Sequence, residues 1–170
     1  AGERRNEVAL SYSQFTVPQA AYVIGSIFGV AFSLGNATFE NMVLPGALSL
    51  EYTHYINDTF GFGASVTGDL MTADRYSGKD EDKHYDGKFN FIMLSVMPHA
   101  KAYWFNHPHF GMYSKLAAGY AVQLADSPQG NFAAQLSPVC MDFGGDAVRG
   151  YLELGFGMQG IVTLGLKKMF

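Results

Sequence analysis

The end of the chain has the clearest pattern of apolar and polar positions. Residues 148–170 read VRGYLELGFG, then a tight GMQG turn, then IVTLGLKKMF. Successive residues of a strand point to opposite faces. One face of this predicted hairpin is therefore apolar, and the other is small, polar or charged, with Arg149, Glu153 and Lys167 on it. Such a hairpin fits two settings: its apolar face can pack on a core, or it can meet lipid with the charges inside a barrel.

The same alternation recurs in six earlier segments. They are residues 7–13, 47–56, 59–71, 89–105, 110–123 and 131–143. With the terminal hairpin they make eight predicted strands, an even number, of about the ten residues that a tilted transmembrane strand needs. Pro98 and Pro138 cannot donate a hydrogen bond to a strand ladder, so we expect irregularities at both.

Two long connections interrupt the strand pattern. Residues 16–39 contain no charge, and within 18–34 the apolar side chains follow helical spacing after Pro18, which suits a helix start. We predict a short amphipathic helix inside a long loop. A single transmembrane helix is the alternative, because the apolar run is near the minimum spanning length of about 17 residues. Residues 72–88 are the most polar part of the chain and predict a solvated loop.

The other connections are mostly short, and their arrangement indicates a topology. Turn signals lie at Asn57 and Asp58, at 106–109 and at 144–147. Short turns on one side and longer loops on the other are typical of an outer-membrane barrel, with the short turns in the periplasm. In that topology both termini lie on the periplasmic side, and strand eight closes beside strand one.

Composition favours a barrel in lipid over a soluble β-sandwich, which is its competitor. Charged residues make up 15% of the chain, against about 25% in ordinary soluble domains. The length of 170 residues predicts a single domain, 1–170. The net charge of −4 offers no basic footprint for nucleic acid. The single Cys140 cannot form an internal disulfide.

Charged side chains occupy the predicted inward faces of the strands. The interior of an eight-stranded barrel is just wide enough to be filled by side chains, and an unpaired buried charge is costly. We therefore predict a salt-bridge network that plugs the barrel, with a narrow ion or proton path as the alternative. Its predicted members are Glu7, Glu51, Asp69, Lys101, Lys115, Arg149, Glu153 and Lys167.

Aromatic side chains on the outward faces are candidates for the girdles that barrels place at membrane interfaces. These candidates are Tyr12, Tyr52, Trp104, Tyr120 and Phe170, with His54 beside them. Asp80, Asp82 and Asp86 do not have the spacing of an EF-hand loop. His107 and His109 are too few ligands for a zinc site. No metal and no cofactor are predicted.

The chain resembles the small eight-stranded outer-membrane β-barrel proteins of Gram-negative bacteria, the OmpA/OmpX-like architecture. The alternating strands along the whole chain and the terminal LGLKKMF carry the resemblance. An ending in an aromatic residue such as Phe170 resembles the signal read by the barrel-insertion machinery, although Lys168 stands where the family usually has an aromatic or apolar residue. The resemblance implies an integral protein of the outer membrane. Its implied partners are membrane lipid, lipopolysaccharide and the insertion machinery.

The function predicted is that of a non-enzymatic surface barrel whose outer loops, 16–45 and 72–88, contact an unknown ligand, lipid or a host surface. A lipid-A-modifying enzyme is the alternative, and it needs a nucleophile, a base and an orienting acid within hydrogen-bond reach. No His-x-Ser motif lies on a predicted strand. A soluble lipocalin-like barrel is a third possibility, which would turn Glu51, Lys101, Lys115 and Glu153 toward water. The available histidines are His54, His84, His99, His107 and His109.

Overall fold

Eight antiparallel strands form a closed barrel in the computed structural model of the chain. The structure describes residues 5–17, 19–20, 37–77, 84–124 and 129–170, with the backbone alone for 37–44, 71–77 and 84–91. The strands are β1 (Asn6–Gln14), β2 (Ala37–Tyr55), β3 (Phe60–Ser77), β4 (His84–Asn106), β5 (Phe110–Leu124), β6 (Gln129–Gly144), β7 (Val148–Gly157) and β8 (Val162–Met169).

The order of strands around the barrel follows the sequence, and β8 pairs with β1. The closure is completed by two backbone hydrogen bonds: Asn6 N donates to Phe170 O (3.0 Å), and Phe170 N donates to Asn6 O (2.9 Å). The prediction of an all-β, eight-stranded, up-and-down antiparallel barrel is therefore confirmed.

The two faces of the barrel wall have opposite polarity. On β1, Leu10 is 58% exposed, whereas its neighbours Ala9 and Ser11 are buried. The same alternation holds on β8, where Leu166 points outward and Lys167 is buried. Among the strand residues with described side chains, Lys168 is the only charged one on the outer face. Apolar side chains thus cover the outside, and polar and charged side chains fill the inside.

Three segments predicted as loops belong to strands. β2 begins at Ala37, β3 continues to Ser77 and β4 begins at His84, so the predicted loops 16–45 and 72–88 were wrong over 37–45, 72–77 and 84–88. Strand pairing depends on backbone hydrogen bonds, whereas the sequence pattern identifies a strand only where apolar residues line one of its faces. Around Asp74 and Arg75 the sequence has no apolar face, but the backbones of the strands still pair.

The strands end at different heights, so the barrel rim opposite the chain termini, here called the loop end, is uneven. β2, β3 and β4 have 19, 18 and 23 residues, but β1, β7 and β8 have only 9, 10 and 8. β6 also continues past its last pair with β7, Gln135 with Gly157, so its residues 129–134 have no β7 partner. The wall is therefore low at β7, β8 and β1.

The predicted helix within 18–34 lies almost wholly outside the described residues. At its start, Gln19 N donates to Thr16 Oγ1 (3.3 Å) and Thr16 N donates to Gln19 Oε1 (3.4 Å), the reciprocal contacts of a capping box. Ala20 N donates to Thr16 O (2.9 Å), as in a helical turn. In the part of the chain that the structure describes, no helix is long and apolar enough to cross a membrane.

A bulge near Pro138 changes which side chains of β6 face inward. The pairing register of β6 shifts between Leu136 and Val139 on the β7 side. Before the bulge the odd-numbered residues face inward, and after it the even-numbered Cys140 and Asp142 are buried. At Pro98, by contrast, the expected irregularity is absent, because the register of β4 is the same on both sides of it.

The inward orientation of Cys140 predicts that its thiol is protected. We expect a small maleimide to label Cys140 only after the protein is unfolded, because the side chain is fully buried in the folded barrel. The matched control is Asp146→Cys in a Cys140→Ser background, since Asp146 is exposed in the turn between β6 and β7. Labelling of Cys140 in the folded protein at the rate of this control would show that its side chain does not face inward. The bulge at Pro138 would then be contradicted.

Candidate functional site: a chain of ion pairs inside the barrel

Eight buried charged side chains form one continuous chain of ion pairs. Neighbours along it have opposite charge, and seven ion pairs join them. Four cations and four anions take part, so the formal charge of the chain sums to zero. The order is Arg149, Asp142, Lys167, Glu7, Lys101, Glu51, Lys115 and Glu153. The interior therefore contains charge but, within this chain, no excess of either sign.

The part of the chain nearest the termini is organised around Asp142. Arg149 Nη1 lies 2.8 Å from Asp142 Oδ1, and Lys167 Nζ lies 2.7 Å from Asp142 Oδ2. Lys167 Nζ also lies 3.1 Å from Glu7 Oε2. The Tyr103 hydroxyl donates a hydrogen bond to Asp142 Oδ2 (2.5 Å). Asp142 is thus bound by three donors from β4, β7 and β8.

Two lysines form the central part of the chain, and each bridges two carboxylates. Lys101 Nζ lies 2.8 Å from Glu7 Oε1 and 3.1 Å from Glu51 Oε2. Lys115 Nζ lies 2.8 Å from Glu51 Oε1 and also pairs with Glu153. Because each ammonium group has two partners, removing one lysine would leave two carboxylates short of positive charge.

Neutral side chains supply further donors to the carboxylates. The hydroxyl of Tyr55 donates to Glu7 Oε2 (2.9 Å), and that of Tyr113 donates to Glu153 Oε1 (2.7 Å). Gln159, in the β7–β8 turn, donates from Nε2 to Glu51 Oε1 (2.8 Å). These hydrogen bonds occupy oxygen lone pairs that the ion pairs leave open, as buried charges require.

Strand β3 contributes no member to the chain, and its inner face is small. Gly61, Gly63, Ser65 and Thr67 point inward there. A Cβ atom at Gly61 would lie 2.7 Å from the ring of Tyr55. A larger residue at this position would therefore displace the tyrosine that donates to Glu7.

Asp69 is buried but does not join the chain. Its Oδ2 accepts a hydrogen bond from the Thr16 hydroxyl, and its Oδ1 accepts one from Gln19 Nε2 (2.8 Å). Asp69 lies on β3, whereas Thr16 and Gln19 follow β1. The carboxylate therefore ties the start of the β1–β2 connection to a strand on the far side of β2.

Seven of the eight predicted inward charges lie in the chain, and the eighth member, Asp142, was missed by the sequence analysis. The period of two places Asp142 on the outer face, and the bulge at Pro138 moves it to the inner face. Two signals pointed to this position. A proline interrupts the strand, and without a shift the charge of Asp142 would stand on an otherwise apolar face.

Side-chain clusters lie beside the chain of ion pairs toward both ends of the barrel, but Arg149 itself lines a cavity at the end that carries the termini. Toward the termini lie Tyr55, Tyr103, Tyr113 and Cys140, with the Tyr103 and Tyr113 ring centroids 4.9 Å apart. A cavity of about 250 Å³ opens outside the Tyr55 and Tyr103 rings at this mouth of the barrel. Toward the loop end lies an apolar cluster made of Met93, Met97, Ala117, Ala121, Ala133 and Met158.

The five predicted girdle aromatics all project from the outer face and are about half exposed: Tyr12, Tyr52, Trp104, Tyr120 and Phe170. Two of them make local hydrogen bonds. The hydroxyl of Tyr52 donates to Asn6 Oδ1 (2.8 Å), and that of Tyr12 donates to Pro45 O (2.5 Å). Their place at a membrane interface stays a prediction.

The described histidines do not form a nucleophile–base–acid arrangement. His99 Nε2 lies 2.9 Å from Thr53 Oγ1, but His99 Nδ1 has no hydrogen-bond partner among the described residues. His54 contacts Asn6, and His109 contacts the backbone of Gly144. Within the described ranges, no three His, Cys, Asp or Glu side chains form a group that could hold a metal ion.

Comparison with models of known protein families found no match, and comparison with curated proteins found none either. The geometry itself defines the class. The chain is a closed eight-stranded antiparallel β-barrel with an apolar outer face and a charge-balanced chain of ion pairs inside.

The central lysines predict a large effect on stability. We expect Lys115→Met to lower the free energy of unfolding by about 3–5 kcal/mol, because it leaves Glu51 and Glu153 undercompensated in the interior. The double variant Lys115→Met/Glu153→Gln should lose less, since it restores equal numbers of cations and anions. Equilibrium unfolding followed by the fluorescence of the single Trp104 measures both.

Lys168→Met is the matched control, because Lys168 lies on the outer face outside the chain of ion pairs. Its effect should stay within about 0.5 kcal/mol, as for ordinary surface substitutions. Equal losses for Lys115→Met and Lys168→Met would contradict the role of the chain in stability.

Proposed function

We propose that this chain is an integral, non-enzymatic β-barrel of a bacterial outer membrane. The observation that carries the proposal is the inverted polarity of the wall, with leucine, valine and phenylalanine outside and paired charges inside. A soluble monomer rarely exposes an apolar patch larger than a few hundred Å². Transmembrane barrels have this polarity, with an apolar band toward lipid and a polar interior.

Closure of the sheet supports the same proposal. Backbone N–H and C=O groups have no water to bind in the hydrocarbon region, so a spanning sheet must satisfy all of them between its own strands. Pairing of β8 with β1 removes the two edges that an open sheet would have. The outward Tyr and Trp side chains fit the aromatic girdles of such barrels.

The chain of ion pairs fits a plug better than an ion path. Its formal charge is zero, so it offers no excess charge of one sign to attract an ion. Lys101 and Lys115 are held by two carboxylates each, and an apolar cluster of methionine and alanine side chains lies between the chain and the loop end. We therefore propose that the interior is structural and that contacts with other molecules are made elsewhere.

The part proposed for surface contact is the extension of β3 and β4 at the loop end. Among the described residues, positions 84–91 of β4 pair with β3, and the described pairing of β4 with β5 extends to Ile92 and Leu124. The sequence of 72–88 concentrates acidic and basic residues that the outer face of the barrel lacks. The paired extension would therefore present charged residues beyond the proposed membrane.

A pair of arginine substitutions tests the location in lipid. Leu50 and Ile56 are equally exposed, at 56% and 59%, but Leu50 lies along β2 and Ile56 at its end beside the turn. In vesicles, Leu50→Arg should lower the free energy of unfolding by about 2–4 kcal/mol and Ile56→Arg by about 0–1 kcal/mol, because the cost of a charge depends on its depth. Urea unfolding from phospholipid vesicles measures the difference.

If the barrel is soluble, both arginines should be tolerated to within about 0.5 kcal/mol, as at other exposed positions. That result, with a monomeric protein in plain buffer, would contradict the membrane proposal. Resistance of the folded protein to SDS, seen as a gel shift on boiling, is the accompanying check of folding.

Conductance tests the closed interior. We expect no stepwise ion current from the purified protein in a planar bilayer, because the chain of ion pairs fills the interior. Discrete steps that change size in the Lys115→Met variant would instead support the alternative of an ion path through the chain.

A further inference from the structure

A second feature of the barrel is an apolar pocket on the outer face beside β7, with buried residues among those that line it. Its volume is about 330 Å³. Leu116, Phe132, Leu136 and Phe156 line it from the outer face, and Met158 and Val17 line it deeper. Met158 is only 8% exposed, so the pocket reaches a side chain that the outer surface does not otherwise show.

The pocket exists because the β6–β7 ladder stops early. The last pair is Gln135 with Gly157, and one further hydrogen bond follows, from Met158 N to Ala134 O (3.0 Å). Beyond it, residues 129–134 of β6 continue without a β7 partner. Gly157 has a φ of +146°, and the residues that follow it, Met158 and Gln159, are buried. Because β7 ends before β6 does, the wall has a lateral opening next to the last residues of β7.

The chemistry of the pocket fits an apolar ligand without hydrogen-bonding groups. Among the described residues, no charged side chain lines it, and the polar side chain of Gln135, which does, is engaged inside the barrel. Gln135 Nε2 donates to Ser137 Oγ and to Gly160 O (3.1 Å each), and its Oε1 accepts from Gln159 N (2.9 Å). A dry apolar cavity of about 150 Å³ binds benzene, and this pocket is about twice as large.

We propose that the pocket binds the end of one acyl chain of a membrane phospholipid, which enters sideways from the outer face. This inference rests on the proposed location in a membrane. The lining leucine and phenylalanine side chains are continuous with the apolar outer face. An acyl chain beside the barrel therefore reaches Met158 without crossing water or a charged surface.

The test uses a phospholipid with a diazirine near the end of one acyl chain, in vesicles of phosphatidylethanolamine and phosphatidylglycerol. After illumination, mass spectrometry locates the labelled residues. We expect label on Met158. Met97 is the internal control, because it is a fully buried methionine that does not line the pocket and should stay unlabelled. Leu94 and Val96, on the outer face of β4, report contact with lipid.

Ala134→Phe is the matched variant, because Ala134 lines the pocket and a phenyl ring would fill it. Labelling of Met158 should fall by about tenfold, which corresponds to about 1.4 kcal/mol of binding free energy. Labelling of β4 should stay unchanged, which also shows that the variant is folded and inserted.

The outcomes separate the two proposals. Label on β4 but not on Met158 would overturn the acyl-chain site and leave the membrane location standing. No label on any outer-face residue would overturn the membrane location itself. Label on Met158 from a free diazirine-bearing alkane but not from the phospholipid would show that the occupant is a free apolar molecule. Undiminished label in Ala134→Phe would show that Met158 is reached by another route. Either of these last two results overturns the proposal.

Discussion

Compensation of buried charge is the constraint on which the interior of this barrel depends. A carboxylate or ammonium group inside a protein costs several kcal/mol unless partners replace its water. Here Lys101 and Lys115 each pair with two carboxylates, and tyrosine hydroxyls bind the remaining oxygen atoms. Gly61 on β3 leaves the space that the Tyr55 ring needs. The chain of ion pairs includes side chains from seven strands. It therefore connects strands across the interior of the barrel, in addition to the backbone hydrogen bonds that connect neighbouring strands around the wall.

The sequence pattern predicts this fold well where a strand has one apolar face. Period-two alternation locates all eight strands and the inward side of charges such as Glu51 and Lys115. It fails at the loop end, because around Asp74 and Arg75 the backbone still pairs without an apolar face. It also fails after Pro138, because the sequence indicates an irregularity but not its size, and a shift of one residue decides that Asp142 faces inward. Pro98 shows the converse, a proline accommodated with no shift.

The uneven lengths of the strands determine the shape of the outer surface near the loop end. Where β2, β3 and β4 are long, a paired extension carries the charged residues beyond the apolar band. Where β7, β8 and β1 are short, the wall is low, and the pocket that ends at Met158 opens beside β7. In the proposed membrane setting, the extension would meet other molecules and the pocket would meet lipid.

The apolar outer face is proposed to lie in lipid. The most direct test of this location is a scan of spin labels along β5, from residue 114 to residue 122, in phospholipid vesicles. The account predicts that labels at even-numbered positions collide readily with oxygen, which concentrates in lipid, and rarely with a water-soluble nickel complex. Labels at odd-numbered positions should be shielded from oxygen. Frequent collision of the even-numbered labels with the nickel complex would place the outer face in water and contradict the account.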